Sequence, residues 1–371
     1  MKQIYFIFKV MFLHKRLISG LFLVFCSFFC FSQNEEPSVQ DSVELTAEQK
    51  LCKEAIKLID SSQYKQALVP LKKAIKINPL YAEAYTKMGL AKIKTDDYKG
   101  GEKDLITSLK LEPSNFETLK LLGTLCFDQE RFADCKMYFD SAANQKVDDA
   151  GFYYLRAQLM FKGKNYKGAL DMAAYAIELK PKYVEVMEFK GEVRFAQKDY
   201  NYTIKELNEA IKFMDATKPV YSAYKLRAKA RFEVSDFKGA VTDWNVYVDA
   251  FPKEEEALIS RGAAKINAND NSSAIVDLDE ALKINPKNPV IYNYRGVAKG
   301  GNKLYVEALK DFDYSIKLKF NYASAYVNRA AIKLASKDKH GACEDLKKAE
   351  SLGDEMAIKL VLKYCGEKYG K

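Results

Sequence analysis

Across residues 292–319, YNYRGVAKGGNKLYVEALKDFDYSIKLK, apolar residues recur at helical spacing on both sides of a Gly300-Gly301-Asn302-Lys303 break. Two amphipathic helices joined by a short turn are predicted there. The same punctuation separates apolar stripes at Lys94-Thr95-Asp96-Asp97, Gln197-Lys198-Asp199 and Asn267-Ala268-Asn269-Asp270. The pattern is periodic. Small residues Ala55, Gly89, Gly123, Ala157, Gly191, Ala228, Gly262, Gly296 and Ala330 follow one another every 34 residues, except for one interval of 37 between Gly191 and Ala228. Twelve residues after each stands a second residue, mostly small, from Ala67 to Ala342, and seven further on a third, from Ala74 to Ala349, with Tyr247 the exception. Small residues let two helix backbones approach closely. Pro79, Pro113, Pro181, Pro252 and Pro286 close five of the units, since proline lacks an amide and disfavours helix in the residue before it. The expectation is an all-α chain of nine helix pairs.

This arrangement resembles the tetratricopeptide repeat over residues 48–356, with the aromatic near the start of the first helix at Tyr85, Tyr153, Tyr224, Tyr292 and Tyr326, then the Gly or Ala, the Ala and the Pro. The resemblance implies a right-handed superhelical solenoid whose first helices line a concave face that holds an extended peptide or a partner's helix. Departures are local. Units ending near Val147, Asp215, Phe320 and Asp354 lack the proline, three extra residues fall near Met214 to Pro219, and Pro70 predicts a kink or a late start in the second helix. Thr46 and Gln49 can form a capping box at the first helix. Residues 33–47 read as a polar, disordered linker. At the other end, residues 357–371 read as a capping helix and tail. The apolar stripe from Met356 to Tyr364, with Glu355, Lys359 and Lys363 outward, would solvate the last repeat.

Ahead of the repeats, Leu17 to Phe31 is an almost uninterrupted apolar run preceded by Lys15-Arg16, the layout of a secretory signal over residues 1–32 with cleavage after Ser32. A retained anchor is the second reading, and a lipid on Cys26 or Cys30 the third, although each of these cysteines follows a bulky Phe. Translation from Met11 rather than Met1 would give a more ordinary leader. A periplasmic or secreted location is expected, with membrane association only if the leader is retained or lipidated. Cleavage removes four basic and no acidic residues, so the net charge falls from +9 to +5, too weak a surplus to argue for nucleic acid. Only His340 then remains as a histidine, which removes most nucleophile–base pairs and most zinc sites. No phosphate-binding glycine motif is present. With leader, repeats and cap counted, no segment is left for a catalytic domain. No cofactor, metal or small-molecule substrate is expected. The alternatives are a helical-repeat RNA-binding protein, which export disfavours, and an accessory subunit of an envelope enzyme complex. The Lys and Asn constellation by which some co-chaperones of this family hold a terminal carboxylate is not recognisable.

Arginine immediately before the small residue is met sixteen positions later by an acid at Arg227 with Asp243, Arg261 with Asp277, Arg295 with Asp311 and Arg329 with Asp345. Lys190 and Glu206 make the corresponding pair in the fifth unit, whereas Arg156 has Met172 at that position and Asp171 beside it. With the turn midway between them, such residues stand at one height across an antiparallel hairpin. They are expected to be structural ion pairs that set helix register, rather than a ladder for anionic ligands, because a partly buried charge needs a partner. Cys343 and Cys365 lie symmetrically about Asp354 and Cys126 and Cys135 flank the turn from Asp128 to Arg131, so each pair is a possible disulfide in an exported protein. Otherwise the cysteines serve as small packing residues.

If the first helices line the inside of the curve, Tyr154, Lys225 and Lys229 face the middle of the groove, with Glu188 and Glu192 in the fifth unit. Ile259, Ala263, Asn293, Val297, Val327 and Ala331 then run towards its carboxyl-terminal end. Two readings of the apolar strip stand side by side: it packs the superhelix against itself, or it receives an apolar peptide or amphipathic helix.

Overall fold

The computed structural model of the protein describes residues 44–145, 147–215 and 220–366. The expected leader and its cleavage point, most of the linker, the tip of the three-residue insertion and the last five residues lie outside the described residues.

Each period forms a helical hairpin. The pairs are α1 (Ala47–Asp60) with α2 (Tyr64–Ile77), α3 (Ala82–Ile93) with α4 (Tyr98–Leu111), and α5 (Phe116–Asp128) with α6 (Phe132–Ala143). Next come α7 (Ala150–Lys162) with α8 (Tyr166–Leu179), α9 (Val184–Ala196) with α10 (Tyr200–Phe213), and α11 (Tyr221–Glu233) with α12 (Phe237–Ala250). The array closes with α13 (Glu255–Asn267) and α14 (Asn271–Ile284), α15 (Pro289–Gly301) and α16 (Tyr305–Leu318), α17 (Ala323–Ala335) and α18 (Lys339–Ser351), and the single helix α19 (Glu355–Tyr364). Pro70 lies within α2, which starts at Tyr64, so the alternative of a late start does not hold.

The small residues meet the helix opposite. A Cβ on Gly123 would stand 2.3 Å from the Phe139 ring, and one on Gly296 2.7 Å from the Phe312 ring, so glycine there lets an aromatic side chain reach the facing backbone. The core is a chain of local clusters rather than one mass. Trp244, for example, is packed with Ala228, Leu258, Leu278 and Ile291 from the neighbouring elements. Several odd helices also touch the next odd one, α3 with α5, α5 with α7, α9 with α11, α13 with α15 and α15 with α17, a contact no pair of even helices makes to a comparable extent. The odd helices therefore line the inner side of the curve.

All nine turns inside the hairpins close on a residue in the left-handed region, seven positions after the small residue: Ser62, Asp96, Glu130, Lys164, Lys198, Ser235, Asn269, Lys303 and Lys337, with φ between 58° and 68°. None is glycine. The amide after each returns to the end of the first helix, as Leu304 does to the Lys299 carbonyl at 2.9 Å. At Asp97, Asn165, Asp236, Asp270 and Asp338 the next side chain caps the second helix by accepting from the amide three residues on. Because a β-branched side chain is strained at positive φ, Lys303→Val is expected to cost about 1–2 kcal/mol by urea denaturation. Lys303→Gly should change stability by less than about 0.5 kcal/mol, since relief of strain is offset by the freer unfolded chain. Equal losses in the two variants would contradict this account of the turns.

Cys343 and Cys365 are joined by a disulfide that ties α18 to α19. Cys52, Cys126 and Cys135 are free and buried, so the Cys126–Cys135 bridge weighed from the sequence is absent. Burial pushes the Cys52 thiol up to about 11 and the Cys135 thiol up to about 12. Glu355, Lys359 and Lys363 of the cap face outward as expected, but part of its apolar stripe does too. Ala357 faces the last repeat, but Met356, Ile358 and Leu362 are exposed together with Glu355, Lys359 and Lys363.

Candidate interaction groove and arginine ladder

In the last four repeats an arginine near the middle of the first helix forks onto an aspartate of the second. Arg227, Arg261, Arg295 and Arg329 each place Nε 2.9 Å from one carboxylate oxygen of Asp243, Asp277, Asp311 and Asp345, and Nη2 2.5–2.7 Å from the other. These aspartates are at most 5% exposed. A second cation one helical turn on completes each site: Arg231, Lys265, Lys299 and Lys333, at 2.7–2.9 Å. The remaining guanidinium nitrogen reaches back to the preceding repeat, at Asn208, Asn245, Asp279 and Asp313. The contact is thus both within and between repeats. Burial works against the charge of Arg295 and Arg329, but their hydrogen bonds to two aspartates outweigh it and push both pKa values up.

The earlier repeats vary the device. Lys190 meets Glu206 at 2.9 Å and Lys92 meets the buried Asp104 at 2.6 Å, where desolvation still holds the Asp104 carboxyl above its usual range. Arg156 reaches Asp140 of the preceding repeat, at 3.4 Å, and lies 5.8 Å from the centre of the Phe152 ring.

On the concave side, several side chains expected to face a partner are spent on the array itself. Ala263 and Asn293 are buried, and the Asn293 side chain lies between the Tyr322 hydroxyl at 3.5 Å and the Asn328 amide at 3.0 Å. Ile259 packs on the Trp244 cluster and Val327 on the cluster of Tyr326 and Ala349. At Asn293 the cause is the direct contact between neighbouring first helices, since both of its partners belong to the next unit. Of the strip, Ile259, Val297 and Val327 are half-buried, Val297 outside the core clusters, and Ala331 is exposed.

The two central lysines lean onto the next repeat: Lys225 lies 2.6 Å from Glu254, and Lys229 lies 2.8 Å from Glu256. The Tyr247 hydroxyl donates to Glu254 at 2.7 Å. Burial opposes the Glu254 charge, but Lys225 and Tyr247 outweigh it and hold the carboxyl below its usual range. Lys229 does the same for Glu256. Tyr154 stands edge-on to Tyr183 and Phe189, and its phenol is pushed up to about 12 by burial first and by Glu192 next.

Glu188 and Glu192, one turn apart on α9, are left without an ion pair among the described residues. Desolvation raises both carboxyl pKa values, aided by Glu185 at Glu188 and by Glu188 at Glu192, while a hydrogen bond with Ser222 partly counters it at Glu188. The sequence puts these two glutamates in the inward set. It does not show that Lys225 and Lys229 turn away from them. Among the described residues no group of three or more His, Cys, Asp or Glu side chains is placed to hold a metal ion.

These stacked hairpins have the tetratricopeptide-repeat fold. No protein-family model matches the chain, and no curated protein sequence does. Among solved structures, pilF of Pseudomonas aeruginosa aligns with a TM-score of 0.51 at 14% identity over 57% of this chain and 95% of its own. PilW, described as a widely conserved type IV pilus biogenesis factor, aligns with a TM-score of 0.51 at 14% identity over 57% of this chain and 97% of its own. A tetratricopeptide repeat protein of Parabacteroides merdae covers more of this chain, 77%, at 19% identity and a TM-score of 0.46. At these identities the likeness is one of fold.

Proposed function

We propose that the protein is a non-enzymatic interaction scaffold of the cell envelope or secreted space that holds a helix of a partner protein along its concave face. The observation that carries this reading is the pair of unmatched glutamates, Glu188 and Glu192, on the inner wall, with Val297 and Ala331 further along it. Two like carboxylates in a partly desolvated groove cost free energy until a cation joins them. The bound helix therefore carries lysine or arginine opposite α9 and an apolar stripe towards α15 and α17. Tyr154 supplies a rigid aromatic wall beside the acidic patch. Lys225 and Lys229, already paired, shape the groove rather than read the partner. The apolar leader supports export, with the mature chain starting at Gln33.

The test begins with amino-terminal sequencing of the fractionated protein, for which Gln33 in the soluble envelope or secreted fraction is the expected result and a detergent-phase chain lipidated at Cys26 or Cys30 the opposing one. The partner crosslinked in that compartment is then bound to variants. Glu188→Lys with Glu192→Lys, and separately Val297→Asp with Ala331→Asp, are each expected to weaken binding at least about tenfold, the worth of one buried anchor or charged contact. Helicity should be unchanged. Ile259→Asp and Val327→Asp would report folding instead, because both side chains pack against the core. Undiminished binding by both double variants would move the partner off this face.

A further inference from the structure

One junction in the array is unlike the rest. α6 and α7 touch less than any other consecutive helices that meet between repeats. α6 has 12 residues where most second helices have 14. At the closed end of the junction Phe152, fully buried, occupies the position that holds Ala84, Ala223, Ala257 and Ala325 elsewhere, and its ring stands edge-on between Phe116 at 5.1 Å and Phe139 at 5.6 Å. With that end filled, a cavity of about 420 Å³ opens further along, between α6 and the second half of α7. Its apolar lining includes Phe132, Phe139 and Leu159, and charge is supplied by Lys136, Asp140, Arg156 and Lys162. The volume falls within the range of about 300–1,000 Å³ typical of small-molecule sites.

The same junction holds the arginine whose carboxylate is missing. In four other repeats a guanidinium at this position is forked by an aspartate, but here the partner position is Met172. Arg156 keeps one long ion pair, 3.4 Å to Asp140, with its guanidinium 5.8 Å from the centre of the Phe152 ring, and Asp140 is shared with Lys136 at 2.5 Å. One carboxylate thus serves two cations, leaving a positive charge beside an apolar cavity. A guanidinium presents two parallel donors, the geometry a carboxylate accepts best.

We propose that the α6/α7 cleft binds a small amphiphile with a single carboxylate and a short acyl tail, a medium-chain fatty acid by chemistry. The carboxylate engages Arg156 as the aspartates engage the other arginines, and the tail lies against Phe132, Phe139 and Leu159. This site is separate from the concave face and stands whether or not a partner helix binds there.

The test is calorimetric titration of the purified protein with sodium decanoate below its micelle concentration, beside decanol, decyltrimethylammonium and a short peptide ending in Leu-Leu with a free carboxylate. Decanoate should bind at least about tenfold more tightly than the neutral or cationic probe, since a charged hydrogen bond contributes that much. Arg156→Gln should reduce decanoate binding by at least about tenfold. Met172→Asp, which restores the internal partner found in the later repeats, should do the same while retaining helicity and melting temperature, and it guards against a folding defect in the first variant. Decanoate bound equally by the wild type and Met172→Asp, no preference for decanoate over decanol, or tighter binding of the peptide than of decanoate would each overturn the proposal.

Discussion

Arg295→Met should destabilise the protein by about 3 kcal/mol, at the lower end of the cost of breaking a buried ion pair, and Arg295→Met with Asp311→Leu should recover most of that loss. The reasoning rests on what each change leaves behind. Removing the guanidinium strips Asp311 of both hydrogen bonds of the fork, and Asp311 is 5% exposed. Lys299, 2.7 Å away, still answers part of its charge, which keeps the cost from the upper end of about 3–5 kcal/mol. In the double variant no buried anion remains, and Lys299 can carry its ammonium to solvent on a flexible stem. Urea denaturation of the three proteins gives the comparison. Equal losses in the single and double variants would show that pairing is not what the arginine contributes.

Reduction of the Cys343–Cys365 bridge, or Cys343→Ser with Cys365→Ser, should release the cap helix while leaving most of the array folded. The bridge closes a loop with a sequence separation of 22, which corresponds to about 3 kcal/mol of restricted unfolded-chain entropy. The rest of the docking is apolar and shallow: Ala357, the one buried residue of α19, packs with Tyr326 and Ala349, and Leu360, Val361 and Cys365 pack partly against Ala330, Ala342 and Leu346. In a nearest-neighbour array, loss of such a cap frays the end first. Hydrogen exchange should show amide protection lost over Glu355 to Tyr364 and then in α17 and α18, with α3 to α12 unaffected. Unchanged protection in α19 after reduction would mean that apolar packing alone docks it.

The helix pairs were legible because a period of 34 carries its own punctuation. Ala55, Ala67 and Ala74 mark one close approach, and the pattern repeats nine times. The height of Arg295 against Asp311 follows from the same count. Its reach to Asp279 depends on how one hairpin leans on the previous one, which no single repeat specifies. The groove was harder to read for that reason. A residue five positions into a first helix points inward in isolation, yet Asn293 is covered once the next first helix is in place. The turns hid their geometry too, because lysine, serine and aspartate occupy left-handed positions that glycine would have announced. The cap misled in another way: Leu362 lies on an apolar stripe yet is 76% exposed, since one short helix can turn only part of its surface to the last repeat.

The thin α6/α7 junction also bears on how the molecule carries load. The forks of Arg227, Arg261, Arg295 and Arg329 bolt the last four hairpins to one another and to the one before them, whereas at the third and fourth that work falls to Phe152, the long contact of Arg156 with Asp140, and Lys120 on the Asp149 cap of α7. Tension between the two ends would therefore part the array at this seam before it disturbed the ladder. The cleft and the seam are the same place, so an amphiphile seated there and an extending force act on one equilibrium. By linkage, the ligand resists the stretch, and the stretch expels the ligand.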